Sequence, residues 1–477
     1  MAREKIIKAG MAYTICNVIL RGISFLTVPI FVRLLTTEEF GRYNIFVSFE
    51  GILFIFSALT VHVSIKNAKY DFHDRYNTYV QNCIYLDFFN SLLLGLVANI
   101  VCFFWSSIID LNYLEVNLLV LSGFCQAVIA IYSTKIIMEY KSGKFVLISF
   151  VSVIVGIASS LLLIFTICDT DRYIGRVIGG VLGQVIATII ILIDVYKGKV
   201  EKVDINLWKY GIKISAPIIP HGLSQIALSS ANRIMIKYIY NASLAGIYSF
   251  TYTVSLIPQI LFNSISNVWE PWFFENRNSQ NFSRIRSITR QFCCVISLAF
   301  IAMSSVVPEF VKIFATSDYY EAIDISIIVL IGCYFATLYY IPCEVEYFHK
   351  KTIYIAISTF LAAVLNIGLN YLMMKYLGYG YKIAAYISLL TYALYFSFHL
   401  IIALRIERGN GIFDIKSMIL VILASTIIMT LNVFLIEFLF YRLLITLFVL
   451  FIYSYFNKAL LIRIVKYARN KITHGYN

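Results

Sequence analysis

The chain has 477 residues, of which 60% are hydrophobic and only 14% are charged, and its mean hydropathy is +0.80. Soluble globular domains carry about 25% charged residues, so this composition argues against a soluble protein and predicts an integral membrane protein. The net charge of +13 would suit a nucleic-acid-binding protein, but the basic residues lie in short loops between apolar stretches, which argues against nucleic acid as a partner.

Fourteen apolar stretches follow one another, each long enough to cross a bilayer core about 30 Å thick as a helix of about 20 residues. They are too long and too continuously apolar for barrel strands, so the predicted fold class is an all-α polytopic membrane protein with about 14 transmembrane helices and no soluble domain. Only Glu437 to Arg442 separates the last two stretches, which leaves thirteen spans or a re-entrant hairpin as alternatives. The predicted spans are 9–34, 43–65, 78–104, 114–134, 145–167, 173–196, 210–236, 246–271, 288–312, 322–343, 352–375, 381–404, 417–437 and 440–461.

The distribution of basic residues predicts the topology. Placing the N-terminus and every second loop on one side collects 28 of the 39 lysines and arginines. Such loops stay in the cytoplasm, so both termini are predicted to be cytoplasmic. The N-terminal sequence MAREKIIKAG leads into a stretch longer than the apolar region of a signal peptide, which favours a retained first helix. The nine cysteines fall almost all within spans and are expected to be core residues, not disulfides or metal ligands.

A weak internal repeat predicts two related halves. The segment Phe40–Tyr43 (FGRY), at the entry to the second span, matches Ala245–Tyr248 (AGIY), at the entry to the eighth, at an offset of 205 residues. Many secondary transporters are built from such repeats, with the substrate site between them. The predicted units are an N-terminal six-helix half (1–200), a C-terminal six-helix half (201–408) and an additional helix pair with a basic tail (409–477).

Motifs for catalysis are not found: G-x-S-x-G, H-E-x-x-H and a Walker loop are missing from the sequence, which predicts neither an enzyme nor an ATPase. Instead, polar residues recur on one helix face in three spans, where prolines also predict kinks. The prolines are Pro29, Pro217, Pro220 and Pro258. The polar stripes are Thr14, Asn17, Arg21 and Ser24; His221, Gln225, Ser229 and Asn232; and Gln259, Asn263, Ser266 and Glu270.

These stripes are predicted to converge on a central substrate cavity. A charge at the bilayer centre costs about 2.5–3.5 kcal/mol on insertion scales, so Arg21 is expected to face protein or water. The alternatives are inter-helix hydrogen bonds or ion pairs and, for Arg233, snorkelling to the interface. The predicted cavity residues are Asn17, Arg21, His221, Gln225, Asn232, Arg233, Gln259, Asn263 and Glu270, and the candidate ion-coupling residues are Glu50, Glu344 and Glu346. The 35 tyrosines and 37 phenylalanines are interpreted as lipid-facing and interfacial packing, not as a sugar-stacking site.

Two segments resemble a known family. Arg33–Tyr43 (RLLTTEEFGRY) resembles the first-to-second-helix signature of the oligosaccharide-lipid flippases, the polysaccharide transporter branch of the superfamily that also holds multidrug extruders and lipid II flippases (the MOP exporters). Residues 366–385, with their N-x-x-x-N and later Gly and Ala-Ala, resemble a second block of that family, and the resemblance spans almost the whole chain. Asn232 departs from it, because many relatives carry an acidic residue there, and Ile383 replaces a commoner glycine.

The resemblance implies a flippase that moves undecaprenyl-pyrophosphate-linked oligosaccharide from the cytoplasmic to the external leaflet by alternating access, for O-antigen, capsule or exopolysaccharide. It also implies the bacterial cytoplasmic (inner) membrane, contact with membrane lipid, and glycosyltransferases or a polymerase of the same pathway as candidate partners. Arg21 and Arg233 would attract the pyrophosphate, and the amides would bind sugar hydroxyls. An ion gradient or the membrane potential is the expected energy source, and no cofactor is expected. The alternatives are an ion-coupled drug extruder of the same superfamily and a membrane-embedded glycosyltransferase or polymerase.

Overall fold

The computed structural model describes residues 16, 19–20 and 22–456, without the side chains of 105–109, 142, 261, 263–268, 454 and 456. Regular secondary structure within these residues is helical throughout, which confirms the predicted all-α class. The α-helices are α1 (Gly22–Leu34), α2 (Thr37–Ala58), α3 (Ile65–Asp71), α4 (Tyr76–Ile109), α5 (Tyr113–Met138), α6 (Ser142–Thr166), α7 (Arg172–Val195), α8 (Ile205–Ser215), α9 (Ile219–Ile239), α10 (Ala242–Ser255), α11 (Ile257–Asn278), α12 (Phe282–Phe314), α13 (Ile323–Leu338), α14 (Tyr340–Phe348), α15 (Thr352–Tyr371), α16 (Ile383–Ile406), α17 (Ile415–Phe434) and α18 (Leu439–Phe456).

The lengths and composition of these helices are those of a multi-pass membrane protein. Within the described residues, nine helical segments are long and apolar enough to cross a membrane, and α2 with α3 makes a tenth if that pair, bent by 52°, is one span. Two shorter apolar helices, α1 and the main part of α18, occupy predicted spans one and fourteen, and α8–α9 and α10–α11 occupy spans seven and eight. The helices are compatible with the predicted fourteen spans.

Contacts between helix ends define two surfaces of the bundle: Thr37 bonds to Ser243 and Tyr319 to Thr36 at one, and Arg277 and His349 both contact Glu407 at the other. We call the surface that carries Thr36 and Asn241 the Asn241 side, and the surface that carries His349 and Glu407 the His349 side. The largest apolar core lies among α10, α12, α13 and α16.

Side-chain caps begin α2 and α10 at the Asn241 side. Thr36 forms a capping box with Glu39, in which each side chain accepts a hydrogen bond from the backbone of the other residue. The Asn241 side chain accepts a hydrogen bond from the backbone of Leu244. Thr36 and Asn241 are themselves 205 residues apart, the offset of the sequence repeat.

Two glycines allow α2 and α10 to touch at this end. A Cβ atom on Gly41 would lie 1.8 Å from the carbonyl oxygen of Ala242, and one on Gly246 would lie 2.0 Å from that of Thr37. The two contacts are equivalent, because Gly246 lies 205 residues after Gly41 and Ala242 lies 205 residues after Thr37. Each helix therefore presents a glycine to the same backbone position of the other, and we call this pair of contacts reciprocal. The hydroxyls of Thr37 and Ser243 add a 2.6 Å hydrogen bond beside it. Only glycine permits so close a backbone approach.

Several helices are interrupted within the predicted spans. Pro217 lies in the short 3₁₀ turn between α8 and α9, and Pro258 follows the α10–α11 break at Leu256, so both prolines lie where a regular α-helix is interrupted. A further break, at Tyr339 between α13 and α14, precedes Pro342, which the sequence reading did not single out. Pro29 lies within α1. Irregular backbone at membrane depth is tolerated where it is buried in protein or lines a cavity, so these breaks mark where a cavity can form.

The second predicted span contains a break that the sequence did not indicate. Leu59 and Thr60, with φ of 45° and 52°, end α2 in the left-handed region, although neither is glycine. The Thr60 hydroxyl donates a 2.9 Å hydrogen bond to the carbonyl of Ser215 in α8. A residue of another helix stabilises this break, so the sequence around Leu59 and Thr60 does not predict it.

The last two helices are separate, with residues 435–438 between them, and both pack on α12. Arg442 of α18 is fully buried and donates to both carboxylate oxygens of Glu309, at 2.6 and 3.0 Å, and to the carbonyl of Ser305 at 2.7 Å. Asn432 of α17 donates to the hydroxyl of Ser304 at 2.8 Å. Polar contacts therefore hold this helix pair to the rest of the bundle.

Candidate functional site

A cavity of about 350 Å³ lies among α9, α10, α11, α13, α14 and α16, beside the breaks at Leu256 and Tyr339. We call it the Arg233 cavity. Its polar lining brings together three of the predicted residues, Gln225, Arg233 and Gln259, with Ser229 and Ser230. Its aromatic lining consists of Tyr252, Tyr339, Tyr340, Tyr392 and Tyr395, which the sequence reading had treated as packing.

Aromatic contact, rather than an ion pair, holds the guanidinium of Arg233. Its central carbon lies 4.9 Å from the centroid of the Tyr252 ring. Its Nε is buried without a hydrogen-bond partner, and no described carboxylate lies within 4.0 Å of the guanidinium. A guanidinium that is held by an aromatic ring leaves its N–H groups available to donate two hydrogen bonds to an anion.

A second cavity, of about 380 Å³, lies among α1, α2, α7, α10 and α11, and we call it the Arg176 cavity. The guanidinium carbon of Arg176 lies 4.0 Å from the Phe31 ring centroid and 5.0 Å from that of Tyr43. Its Nη1 donates to the hydroxyl of Ser160 at 2.9 Å, while its Nε is buried and unpartnered. Leu256 lines both cavities, so the two arginines face adjacent spaces.

The sequence reading missed Arg176 because it lies near the end of the sixth predicted span and was counted among the loop charges. Arg176 lies inside the predicted span 173–196, and an arginine inside a span is a candidate cavity residue, as Arg21 is in the first span.

The amide of Asn232 lies between helices rather than in the cavity. It is 4% exposed and donates to the Tyr248 hydroxyl at 2.8 Å and the Ser388 hydroxyl at 2.6 Å, and it accepts from Asn370 at 3.0 Å. These bonds join α9 to α10, α15 and α16. A buried network with this many bonds fixes the orientation of α9 and so the direction of the neighbouring Arg233.

A buried carboxylate and a histidine form a second polar centre on the His349 side of the Arg233 cavity. Glu346 Oε1 lies 2.6 Å from His399 Nδ1, and His399 Nε2 lies 2.9 Å from the hydroxyl of Ser358. His221 lies close enough to His399 for their charges to interact. The sequence reading proposed Glu346 and His221 but not His399 or Ser358, although a histidine inside span 381–404 was visible.

The remaining predicted acids lie apart from Arg233. Glu344 and the exposed Glu270 are near enough to interact electrostatically. Glu50 accepts hydrogen bonds from Gln184, at 3.0 Å, and from Ser122, in a cluster that joins α2, α5 and α7. Of the other predicted site residues, Asn17, Arg21 and the side chain of Asn263 lie outside the described part of the chain.

Outside the spans, an ion-pair cluster joins three helices on the His349 side. Glu407 accepts from Arg277, at 2.6 and 3.1 Å, and lies 2.7 Å from the ring nitrogen of His349. Burial raises the pKa of Glu407, but the hydrogen bonds from Arg277, Asn410 and His349 outweigh it, so the pKa lies below its usual value.

Solved structures share this architecture across most of the chain. A lipid II flippase MurJ in an inward closed conformation has a TM-score of 0.72 and 16% identity over 95% of this chain and 100% of that chain. An inward-facing multidrug resistance MATE family transporter of the MOP superfamily has a TM-score of 0.60 and 12% identity over 82% and 98%. A MOP superfamily transporter from Pyrococcus furiosus, described as having a binding pocket of reverse polarity, has a TM-score of 0.58 and 11% identity over 84% and 95%.

These similarities show that the chain shares the fold of these flippase and transporter structures, as the resemblance predicted. No curated protein matches the sequence significantly. Residues 6–277, more than half of the chain, match the family described as "Polysaccharide biosynthesis protein". The chain therefore belongs to the polysaccharide biosynthesis protein family.

Proposed function

We propose that this protein is a flippase that moves an undecaprenyl-pyrophosphate-linked oligosaccharide from the cytoplasmic to the external leaflet during the synthesis of a surface polysaccharide. Its family and its transporter fold support transport in this biosynthetic context. The observation that carries the substrate class is Arg233, a cation without a described carboxylate partner, which lines a cavity within the helix bundle.

The two arginines, which line neighbouring cavities, suit a pyrophosphate. Arg233 and Arg176 each lie over an aromatic ring and each have an unpartnered Nε, and only Leu256 is shared between their cavities. Charge-assisted bonds from guanidinium groups to phosphate oxygens are short and strong, and a diphosphate offers enough oxygens for both. An arginine lining disfavours organic cations, which weakens the drug-extruder alternative.

The rest of the Arg233 cavity suits sugars. Tyr339, Tyr392 and Tyr395 offer apolar ring faces with hydroxyls at their edges, and Gln225 and Gln259 offer amide donors and acceptors. Apolar walls with a few convergent polar groups are typical of small-molecule sites.

The proposed orientation places the His349 side in the cytoplasm, with both termini, and the Asn241 side outside an inner membrane. The Gly41–Gly246 contact closes α2 against α10 at the Asn241 side, so substrate would enter from the His349 side. The proposed halves, 1–200 and 201–408, would rock about this contact, with 409–477 appended to the second half.

Deletion of the gene tests the function. We expect surface polysaccharide to be lost, while lipid-linked repeat units accumulate in the cytoplasmic leaflet, measured by their accessibility to an impermeant glycosidase in inverted and right-side-out vesicles. Normal surface polysaccharide in the deletion strain would contradict the proposal.

Complementation with Arg233→Ala tests the substrate class. Hydrogen bonds to charged groups contribute about 1.5–3 kcal/mol, so transport should fall by about 10- to 150-fold. Arg233→Lys should be milder, because it keeps the charge but not the bidentate fork. Lys213→Gln, which removes an exposed charge from α8, is the matched control. Transport at the wild-type level in Arg233→Ala would refute the role of this arginine.

A further inference from the structure

We propose that Glu346 and His399 form a proton-binding site that couples proton entry to substrate export. The coupling depends on the proposed flippase function, whereas the binding of the proton does not.

Two proton placements satisfy the hydrogen bonds of this pair, and they differ by one proton. The single hydroxyl proton of Ser358 can point to the carbonyl of Ile355, at 3.0 Å, or to Nε2 of His399, at 2.9 Å. In the first placement Nε2 donates to Ser358 and a further proton lies in the 2.6 Å contact between Nδ1 and Glu346, so the pair together has no net charge. In the second placement Nε2 accepts and Nδ1 donates to the ionised carboxylate, so the pair has one negative charge.

Loss of that proton would leave a buried negative charge. The side chains of Glu346 and His399 are 0% exposed, and the second carboxylate oxygen of Glu346 has no hydrogen-bond partner. No described lysine or arginine forms an ion pair with Glu346. An uncompensated buried ion costs several kcal/mol, so the deprotonated pair favours a conformation that admits water.

Among the described residues, the titratable groups that face the pair from the elements around it supply no fixed cation. They are His221 on α9, Tyr339 at the α13–α14 break, Cys343 on α14 and Tyr395 on α16. Of these, only His221 acquires positive charge by binding a proton.

Aromatic contacts connect the pair to the Arg233 cavity. The Tyr395 ring meets the His399 ring edge-on, with centroids 4.6 Å apart, and the Tyr339 ring lies 5.6 Å away. Both tyrosines line the cavity, and Gln225 donates to the Tyr395 hydroxyl at 3.4 Å. Because Tyr339 sits at the break that begins α14, movement of Glu346 with α14 changes the cavity wall.

The same order of side chains, acid to histidine to serine, occurs in serine hydrolases. Ser358 is 3% exposed and is not among the residues that line the Arg233 cavity, so a substrate carbonyl does not reach it. A reversible proton site fits this placement better than a nucleophile.

The coupling step is a proton exchange without covalent chemistry. One proton enters from the external side, is held between Glu346 and His399, and leaves to the cytoplasm for each substrate exported. One unit of pH difference is worth about 1.36 kcal/mol, which is a tenfold shift in the leaflet ratio of the substrate.

Proton binding can be measured without substrate, by infrared titration of the purified protein. We expect the carboxyl band removed by Glu346→Gln and the imidazole band removed by His399→Gln to titrate with one common midpoint, unchanged in the exposed-acid control Glu275→Gln. Different midpoints, or bands that do not respond to pH, would overturn the proton site.

Coupling is measured in proteoliposomes, with lipid-linked repeat units extracted from the deletion strain as the probe. A one-unit pH difference should shift the leaflet ratio about tenfold in the wild type and in Glu275→Gln, and should have no effect in Glu346→Gln. A tenfold response that survives in Glu346→Gln would overturn the coupling. If the wild-type protein moves no lipid-linked repeat unit, the proposed function fails and the coupling with it, while the infrared titration still decides the proton site.

Discussion

Alanine at Gly246 or Gly41 should force α2 and α10 apart at the Asn241 side. A Cβ on Gly246 would lie 2.0 Å from the carbonyl oxygen of Thr37, whereas ordinary contacts begin near 3.4 Å. Relief therefore requires a separation of about 1.4 Å, because a backbone carbonyl cannot rotate away as a side chain does. Overpacking costs about 1–3 kcal/mol, and this rigid contact belongs at the upper end of that range.

The two substitutions should not be additive. Because both glycines belong to one reciprocal contact, the separation caused by the first alanine makes room for the second. Two independent sites would lose about 6 kcal/mol together, but we expect the double variant to lose about 3–4 kcal/mol, a coupling of about 2–3 kcal/mol.

The free energy of unfolding in mixed detergent micelles, measured for both single variants and the double variant, tests this reasoning. Gly368→Ala is the matched control, because a Cβ there meets nothing within 4 Å. The separated helices should also make cysteines placed at the Asn241 side more accessible to an impermeant thiol reagent. Strictly additive losses, or single variants as stable as Gly368→Ala, would refute the reciprocal contact.

Two further predictions concern ion pairs. Arg442→Ala should cost about 3–5 kcal/mol of unfolding free energy because it leaves Glu309 unpaired, and Arg442→Met with Glu309→Met should cost less; equal losses would contradict this. The lowered pKa of Glu407 means that its cluster stabilises the protein above the unfolded value near 4.5, and that this stabilisation is lost as the pH falls through the lower folded value. The melting temperature of the wild type should therefore fall more steeply below about pH 4.5 than that of Glu407→Gln, and parallel curves would argue against the cluster.

Hydropathy predicted the helices well because the backbone N–H and C=O groups of each span must form hydrogen bonds within that span when lipid surrounds it. The helix breaks were predictable only where proline removes a donor, as at Pro217 and Pro258. At Leu59 and Thr60 the break depends on a hydrogen bond to a residue 155 positions away, which no local pattern encodes.

The site was predictable in part for a related reason. A helix stripe shows which residues share a face but not what that face meets, so Gln225 lines the cavity while Asn232 is enclosed by other polar side chains. Tyrosine suits both a membrane interface and a cavity wall, so composition alone did not separate Tyr395 from interfacial residues. In the sequence, His399 is a single titratable residue within a span, and its role becomes visible only in its contact with Glu346 of another helix.

When no substrate is bound, Arg233 would rest on an aromatic ring with no described carboxylate within 4.0 Å. An unpaired buried charge raises the free energy of the closed, empty protein relative to the closed, loaded one. The return of the unloaded carrier would then be the slow step of each turnover, and an anionic lipid on the far side would speed it by counter-exchange. A tyrosine in place of an aspartate beside this arginine would therefore affect the rate of transport as well as the substrate that is transported.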